Sequence, residues 1–178
     1  MIIVLNGYPG VGKLTIGREL ASIVEGRLLD IHTVYNLAFA LTEFKSPEFI
    51  ATVEQVEAIA HDLIHKLPTH VPVVLTTVLA GEDPWGQAEW ARIVALGQAR
   101  PPLCVVHVTC GLDENMRRIQ SVGRDAKRKP RDPEMARRNQ LGAKRLAGAD
   151  QPHLLELDVT AMSPQRAAHA IADWSRTI

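Results

Sequence analysis

A three-layer α/β/α fold around a five-stranded parallel sheet is what this 178-residue sequence predicts. Three observations carry the prediction. Short β-branched or leucine-rich runs alternate with longer amphipathic stretches, the pattern of strands joined by crossover helices. The first such run leads directly into a glycine-rich turn with a helix behind it. Four later helices announce their starts with a capping residue followed by proline: Ser46-Pro47, Asp83-Pro84, Asp132-Pro133 and Ser163-Pro164. Ser or Asp accepts a bond from a first-turn N–H that lacks an intrahelical partner, and proline next to it removes a donor that would be orphaned anyway.

Along the chain, "IIVLN" predicts the first strand at Ile2–Asn6, and a helix follows Lys13. Arg27–Asp30 reads as the second strand, with a helix over Thr33–Leu41 and another from the Ser46 cap. "VPVVLTTVL" places the third strand at Val71–Leu79, ahead of the Asp83-capped helix. Leu103–Thr109 is the fourth strand, followed by helices at Asp113–Gln120 and behind Asp132. Leu154–Asp158 is the fifth strand, and the Ser163-capped helix closes the pattern. No repeat, low-complexity segment or linker interrupts it, so residues 1–178 read as a single domain.

Composition narrows the class. The chain is 46% hydrophobic and 22% charged with zero formal net charge, ordinary for a soluble globular protein. No apolar run approaches the roughly 20 residues needed to span a bilayer, so no membrane partner is expected. "MIIVLNG" has no basic leader and reads as a strand rather than a signal peptide. Two cysteines, Cys104 and Cys110, are too few for a disulfide framework, and a cytoplasmic location is the default expectation. The charge is unevenly spread. Residues 117–138 hold nine Lys/Arg against three Asp/Glu, whereas residues 31–91 hold no arginine, two lysines and eight carboxylates.

"LNGYPGVGKLT", Leu5 to Thr15, falls one letter short of the phosphate-loop pattern G-x-x-x-x-G-K-[ST]. Leu14 stands where the hydroxyl belongs, and Thr15 supplies it one position late. Gly7, Gly10 and Gly12 stand where backbone N–H groups must approach phosphate oxygens, and Lys13 opens a helix whose N-terminus favours anions. A glycine turn that merely joins a strand to a helix is the plainer alternative. The buried strand before it and the helix after it favour the phosphate site. Gly7, Gly10, Val11, Gly12, Lys13, Leu14 and Thr15 are the candidate nucleotide-binding residues.

"GYPGVGKLT" fits G-x-P-G-x-G-K-x-T, and in this it resembles the small P-loop kinases: adenylate, shikimate and gluconate kinases, antibiotic phosphotransferases and zeta-type toxins. In adenylate kinases the residue after the lysine need not carry a hydroxyl, so Leu14 is compatible with function and argues against a GTPase. "LDENMRRIQSVGR" is similar to that family's arginine-bearing helix leading into a lid, and "LLELDVTAMSPQRAAHAIADW" to its last strand, threonine loop and closing helix. The resemblance implies a P-loop NTPase kinase-like fold with a helical acceptor-side insertion at 31–70 and a lid at 119–133. It implies ATP and Mg2+ as cofactors. It also implies that Arg118 stacks on adenine and that Arg124 reaches the β/γ-phosphates, with Lys127, Arg128 and Arg131 in reserve. A solvated basic face is the competing reading of that segment. Because no aromatic residue interleaves with the basic ones, nucleic acid is not expected as a partner.

Asp30 ends the second strand, at the carboxyl edge where open α/β sheets bind ligands. By resemblance it activates the acceptor hydroxyl or helps hold magnesium, together with Thr15. His32 is a second substrate candidate, and helix capping is the alternative for Asp30. The third strand ends in Thr76 and Thr77 where many P-loop enzymes place an acid, and Asp83 is committed as a cap. His61 and His65 have metal-ligand spacing but lack the glutamate of H-E-x-x-H, so they read as exposed helix residues. Trp85, Trp90, Tyr35 and Phe39 read as core or as acceptor-pocket lining.

The expected activity is an ATP-dependent kinase acting on a hydroxyl of a small neutral or cationic molecule, with Lys13, Asp30 and Arg124 catalytic, in a monomer or homodimer. An ATP-binding protein without transferase activity and a toxin-like or nucleic-acid-directed kinase are the alternatives. With no second helical domain after the core, a hexameric motor is not expected.

Overall fold

The computed structural model describes residues 1–120, 132–142 and 144–178. In chain order the elements are β1 (Ile2–Asn6), α1 (Lys13–Ile23), β2 (Arg27–Asp30), α2 (Ile31–Leu41), α3 (Pro47–Lys66), β3 (Val73–Thr77), α4 (Pro84–Ala99), β4 (Leu103–Thr109), α5 (Leu112–Ile119), α6 (Pro133–Gly142), β5 (Leu154–Asp158) and α7 (Pro164–Ser175). The strands form one parallel sheet in the order β2-β3-β1-β4-β5. β1 is apolar at every position but its last because it sits in the middle, covered on both faces.

Alternation along the strands divides the core in two. Ile3, Leu5, Val74, Cys104, Val106 and Val108 pack with Ile16 and Leu20 of α1 and with Ala167, Ala168, Ile171 and Ala172 of α7. On the opposite face Ile2, Val4, Val73 and Leu75 meet Ile64 of α3 and Ile93 and Leu96 of α4. The small residues of α7 let it lie close to α1. A third cluster joins Val34, Tyr35 and Ala38 of α2 to Phe49 and Val53 of α3, with Leu29 and Trp85 at its margin.

The four expected caps form. Ser46, Asp83 and Ser163 accept from the N–H groups of Phe49, Gly86 and Arg166, and Asp132 accepts from Glu134 N at 2.9 Å. Three boundaries differ from the sequence expectation. β3 is Val73–Thr77 rather than Val71–Leu79. Val71 N turns back to Pro68 O, Pro72 has no N–H to donate, and Thr77 already pairs with Asn6, the last residue of β1. α2 starts at Ile31, not Thr33, because Ile31 N reaches the Thr76 hydroxyl and the chain turns into helix at once. α5 is shifted by one residue, to Leu112–Ile119, a difference within ordinary end fraying. Among the described residues no helix is long and apolar enough to cross a membrane.

Candidate functional site: a glycine-lined helix end and an acidic cavity on one sheet edge

The turn after β1 needs its glycines for two different reasons. A Cβ on Gly7 would lie 2.3 Å from the carbonyl oxygen of Val108, so only glycine lets the loop pass β4. Gly10 and Gly12 have φ of +94° and +105°, the left-handed region that favours glycine. Gly12 occupies the N-cap position of α1 and has no side chain to cap it. The first-turn N–H groups of α1 therefore face the loop as donors, backed by the helix dipole. Lys13 is 8% exposed, and its Nζ donates to the carbonyls of Gly7 at 2.6 Å and Tyr8 at 3.0 Å. The ammonium thus lies inside the turn of the loop. Val11 is buried in the core, Leu14 is half-buried and Thr15 is exposed.

Arg118 lies against this loop. Its guanidinium donates to Glu114 at 2.5 Å, to the Val11 carbonyl at 3.0 Å and to the Val159 carbonyl at 2.9 Å. It ties α5, the loop and the β5–α7 turn together. In that turn Thr160 accepts from Gly111 N and donates to Asp158. Residues 121–131 lie outside the described residues, and with them Arg124, Lys127, Arg128, Arg131 and nearly all of the expected lid.

Sequence reasoning overlooked a polar brace beneath the loop. Asn6 Nδ2 donates to the carbonyls of Leu79 at 2.8 Å and Ala147 at 3.0 Å, and His107 Nε2 bonds the same Ala147 carbonyl at 3.0 Å. Tyr8 donates to the Lys144 carbonyl at 2.8 Å. A polar residue ending an otherwise apolar strand was the available signal for Asn6.

Register places the second half of the site. Asp30, Thr76 and Leu5 are level across β2, β3 and β1, so Asp30 stands two strand spacings, roughly 10 Å, from the strand that feeds the loop. Asp30 holds the N-cap position of α2 but makes no capping bond with its side chain. Its carboxylate instead accepts from the Thr76 hydroxyl at 2.5 Å. His32, in the first turn of α2, stacks on Phe39.

Beside Asp30 lies a cavity of about 30 Å³ whose polar lining is Tyr35, Glu57, His61, Thr76, Thr77 and Glu89. Tyr35 donates to Glu89 at 2.5 Å, and Arg92 Nε donates to Glu57 at 2.6 Å. Burial pushes the Glu89 carboxyl up to about 7, against the opposing pull of the Tyr35 hydrogen bond. Burial also raises Glu57, with Arg92 opposing, and lowers His61. His61 is therefore not the exposed helix residue expected: it is half-buried and 3.8 Å from Glu57, while His65 is exposed. Its place on α3 faces α4, a tertiary fact that helical spacing alone leaves open. Tyr35, Phe39 and Trp85 form an aromatic cluster with Phe49, whereas Trp90 packs into the core behind β3.

Both nearby arginines are engaged, although Arg92 keeps one buried nitrogen, Nη2, without a hydrogen-bond partner among the described residues. Arg92 is committed to Glu57 and Glu54, and Arg100 donates to the carbonyls of Leu67, Pro68 and Val71. Among the described residues no group of three or more His, Cys, Asp or Glu could hold a metal ion.

Residues 3–140 match the AAA domain family. A candidate kinase from Chloroflexus aurantiacus superposes with a TM-score of 0.70 at 16% identity, covering 99% of this chain and 96% of that one. A gluconokinase from Sinorhizobium meliloti superposes with a TM-score of 0.60 at 14% identity, over 98% and 91% of the two chains. A shikimate kinase from Acinetobacter baumannii, bound to shikimate, gives 0.60 at 18% identity over 99% and 93%. Comparison with curated proteins finds no match. The chain belongs to the AAA domain family, and its fold is that of the small P-loop kinases.

Proposed function

We propose that this protein is an ATP-dependent kinase that transfers the γ-phosphoryl group to a hydroxyl of a small neutral or cationic molecule. The observation that carries the reading is the uncapped, glycine-lined end of α1, with Lys13 enclosed in the loop, on the same sheet edge as Asp30. The loop N–H groups and Lys13 hold the β/γ-phosphates. Asp30 accepts the acceptor's proton as its oxygen attacks the γ-phosphorus, and ADP leaves. Thr76 orients the Asp30 carboxylate through its hydrogen bond. Arg118 keeps the loop seated on α5, and Arg124 with the 119–133 lid neutralises charge on the transferring group. Magnesium, when bound, supplies charge neutralisation at the phosphate oxygens. The oxygen donors of Thr15 and Asp30 suit such a hard cation, most of whose ligands would be nucleotide oxygens and water. The solved gluconokinase and shikimate kinase support a small hydroxyl acceptor, and the setting is a cytoplasmic monomer or homodimer.

A second reading, ATP binding without transfer, draws on Thr76 and Thr77 ending β3 where an acid is common. ADP release measured with and without a pool of hydroxyl metabolites separates the two. Stimulation by one compound supports the kinase, and saturable ATP binding without turnover supports the alternative. Nucleoside monophosphates should be poor acceptors. Residues 31–91 contain no arginine to grip a dianionic phosphate, and Arg92 and Arg100 are engaged elsewhere. Turnover of AMP, CMP, GMP or UMP above ~10 s⁻¹, about the enzyme median, would overturn that limit.

A further inference from the structure

The cavity beside Asp30 contains a carboxyl group, Glu89, with no ion-pair partner within contact distance among the described residues, Arg92 acting on it only as a more distant charge. Glu57 has such a partner in Arg92, whose Nη1 also lies 3.6 Å from Glu54. Glu89 is 4% exposed, and among the described residues its one hydrogen-bond donor is the neutral Tyr35 hydroxyl, on Oε2. A buried carboxylate in that position is costly unless a cation joins it. An independent feature points into the same space. Thr77 lines the cavity and is 2% exposed, and its buried Oγ1 has no hydrogen-bond partner among the described residues.

We propose that this cavity is a subsite for a protonated amine, so that the compound phosphorylated carries an ammonium group as well as a hydroxyl. Phosphoryl transfer to that compound rests on the kinase reading, whereas amine binding rests on the cavity alone. An ammonium has several donors to share between the Glu89 carboxylate and the Thr77 hydroxyl oxygen. Thr76 shares the lining and donates to Asp30, which puts the amine one residue away from the group that takes the hydroxyl's proton. An anionic acceptor would meet Glu57, Glu89 and Asp30 together. Burial keeps Glu89 partly protonated near neutral pH, and an arriving ammonium releases that proton.

The groups that face Glu89 are Tyr35 from α2, Glu57 and His61 from α3, Asp83 and Arg92 from α4 and its cap, and Asp30 through Thr76. Burial lowers His61, and it raises Glu57 against the opposing pull of Arg92. The probes are amine and diol twins whose amines remain protonated throughout: ethanolamine with ethylene glycol, and 4-aminocyclohexanol with 1,4-cyclohexanediol. Calorimetric titration of the wild type should give at least ~10-fold tighter binding of each amine, and Glu89→Gln should abolish that preference while ATP affinity holds and Tm does not fall. In the wild type, amine affinity should rise about ten-fold from pH 6 to pH 8, as a carboxyl titrating near 7 goes from about one-tenth to nine-tenths ionised. This profile decides the matter even if the variant fails to fold. Equal binding of the twins, a preference that survives in folded Glu89→Gln, a flat pH profile, or no binding by either amine overturns the subsite. ADP release in the same mixtures reads the kinase separately. Amine-selective binding without ADP overturns the kinase and leaves the subsite, whereas ADP release with the diols alone does the reverse.

Discussion

The phosphate-loop end and the Asp30 end of this sheet edge are built on opposite principles. The phosphate end is made by one continuous stretch, from Asn6 into α1, and its chemistry is mostly backbone: glycine conformations, helix N–H groups and one lysine. The Asp30 end is assembled from β2, β3, α2, α3 and α4, and its chemistry is side-chain carboxylates taken out of water. Backbone donors cannot titrate, so the first region should respond to substitution but scarcely to pH. The second should respond to both.

Lys13→Ala tests the phosphate end most severely. Turnover should fall on the order of 10³-fold, the upper scale for losing one electrostatic stabiliser of a transition state, with Tm nearly unchanged. Full nucleotide affinity in the folded variant would break the comparison at its first half. Asp30→Asn should lower turnover by at least ~10²-fold, the scale of an acid–base group, and leave ATP affinity alone. Near-wild-type turnover would move the base to His32.

Glu89→Gln sharpens the pH contrast through stability. Burial raises the Glu89 carboxyl from 4.5 to about 7, so between those values the folded chain binds more protons than the unfolded one. The stability contributed by the protonated group is complete below about 4.5 and is lost as pH rises through about 7. That loss is on the order of 3 kcal/mol at most, at ~1.4 kcal/mol per pH unit, and solvent relaxation will reduce it. Urea unfolding should therefore show the variant near wild type at pH 4.5 and more stable by about 1–3 kcal/mol at pH 8. A difference that does not change with pH would mean that Glu89 is not desolvated. The smallest effect is expected from Leu14→Ser. Nucleotide affinity should stay within about three-fold, since the commoner phosphate loop carries a hydroxyl there. A complete loss would show that packing of the half-buried Leu14 sets the loop.

Legibility followed the same divide. β1, β2, β4 and β5 and the four Pro-led helices lie where their sequences place them, because alternation, caps and proline act within a few residues. The misplaced end of β3 shows the limit: apolar residues continue to Leu79, but the ladder stops where β1 runs out of partners. Glu89 shares the buried face of α4 with Ile93 and Leu96, but the apolar pattern over Pro84–Ala99 is too weak to mark that face in the sequence. Its hydroxyl partner, Tyr35, is 54 residues away, and the pairs Asp30–Thr76 and Glu57–Arg92 are 46 and 35 apart.

The sequence by itself determined the phosphate end, since a left-handed turn, an uncapped helix start and a lysine at its head are properties of consecutive residues. It also determined the parallel sheet, through the spacing of apolar runs. The surroundings of the carboxyl groups in the cavity beside Asp30 were decided only when α2, α3 and α4 closed over β3. A carboxyl group acquires its shifted proton affinity from the water it loses, and which residues lose water is a property of the packed helices.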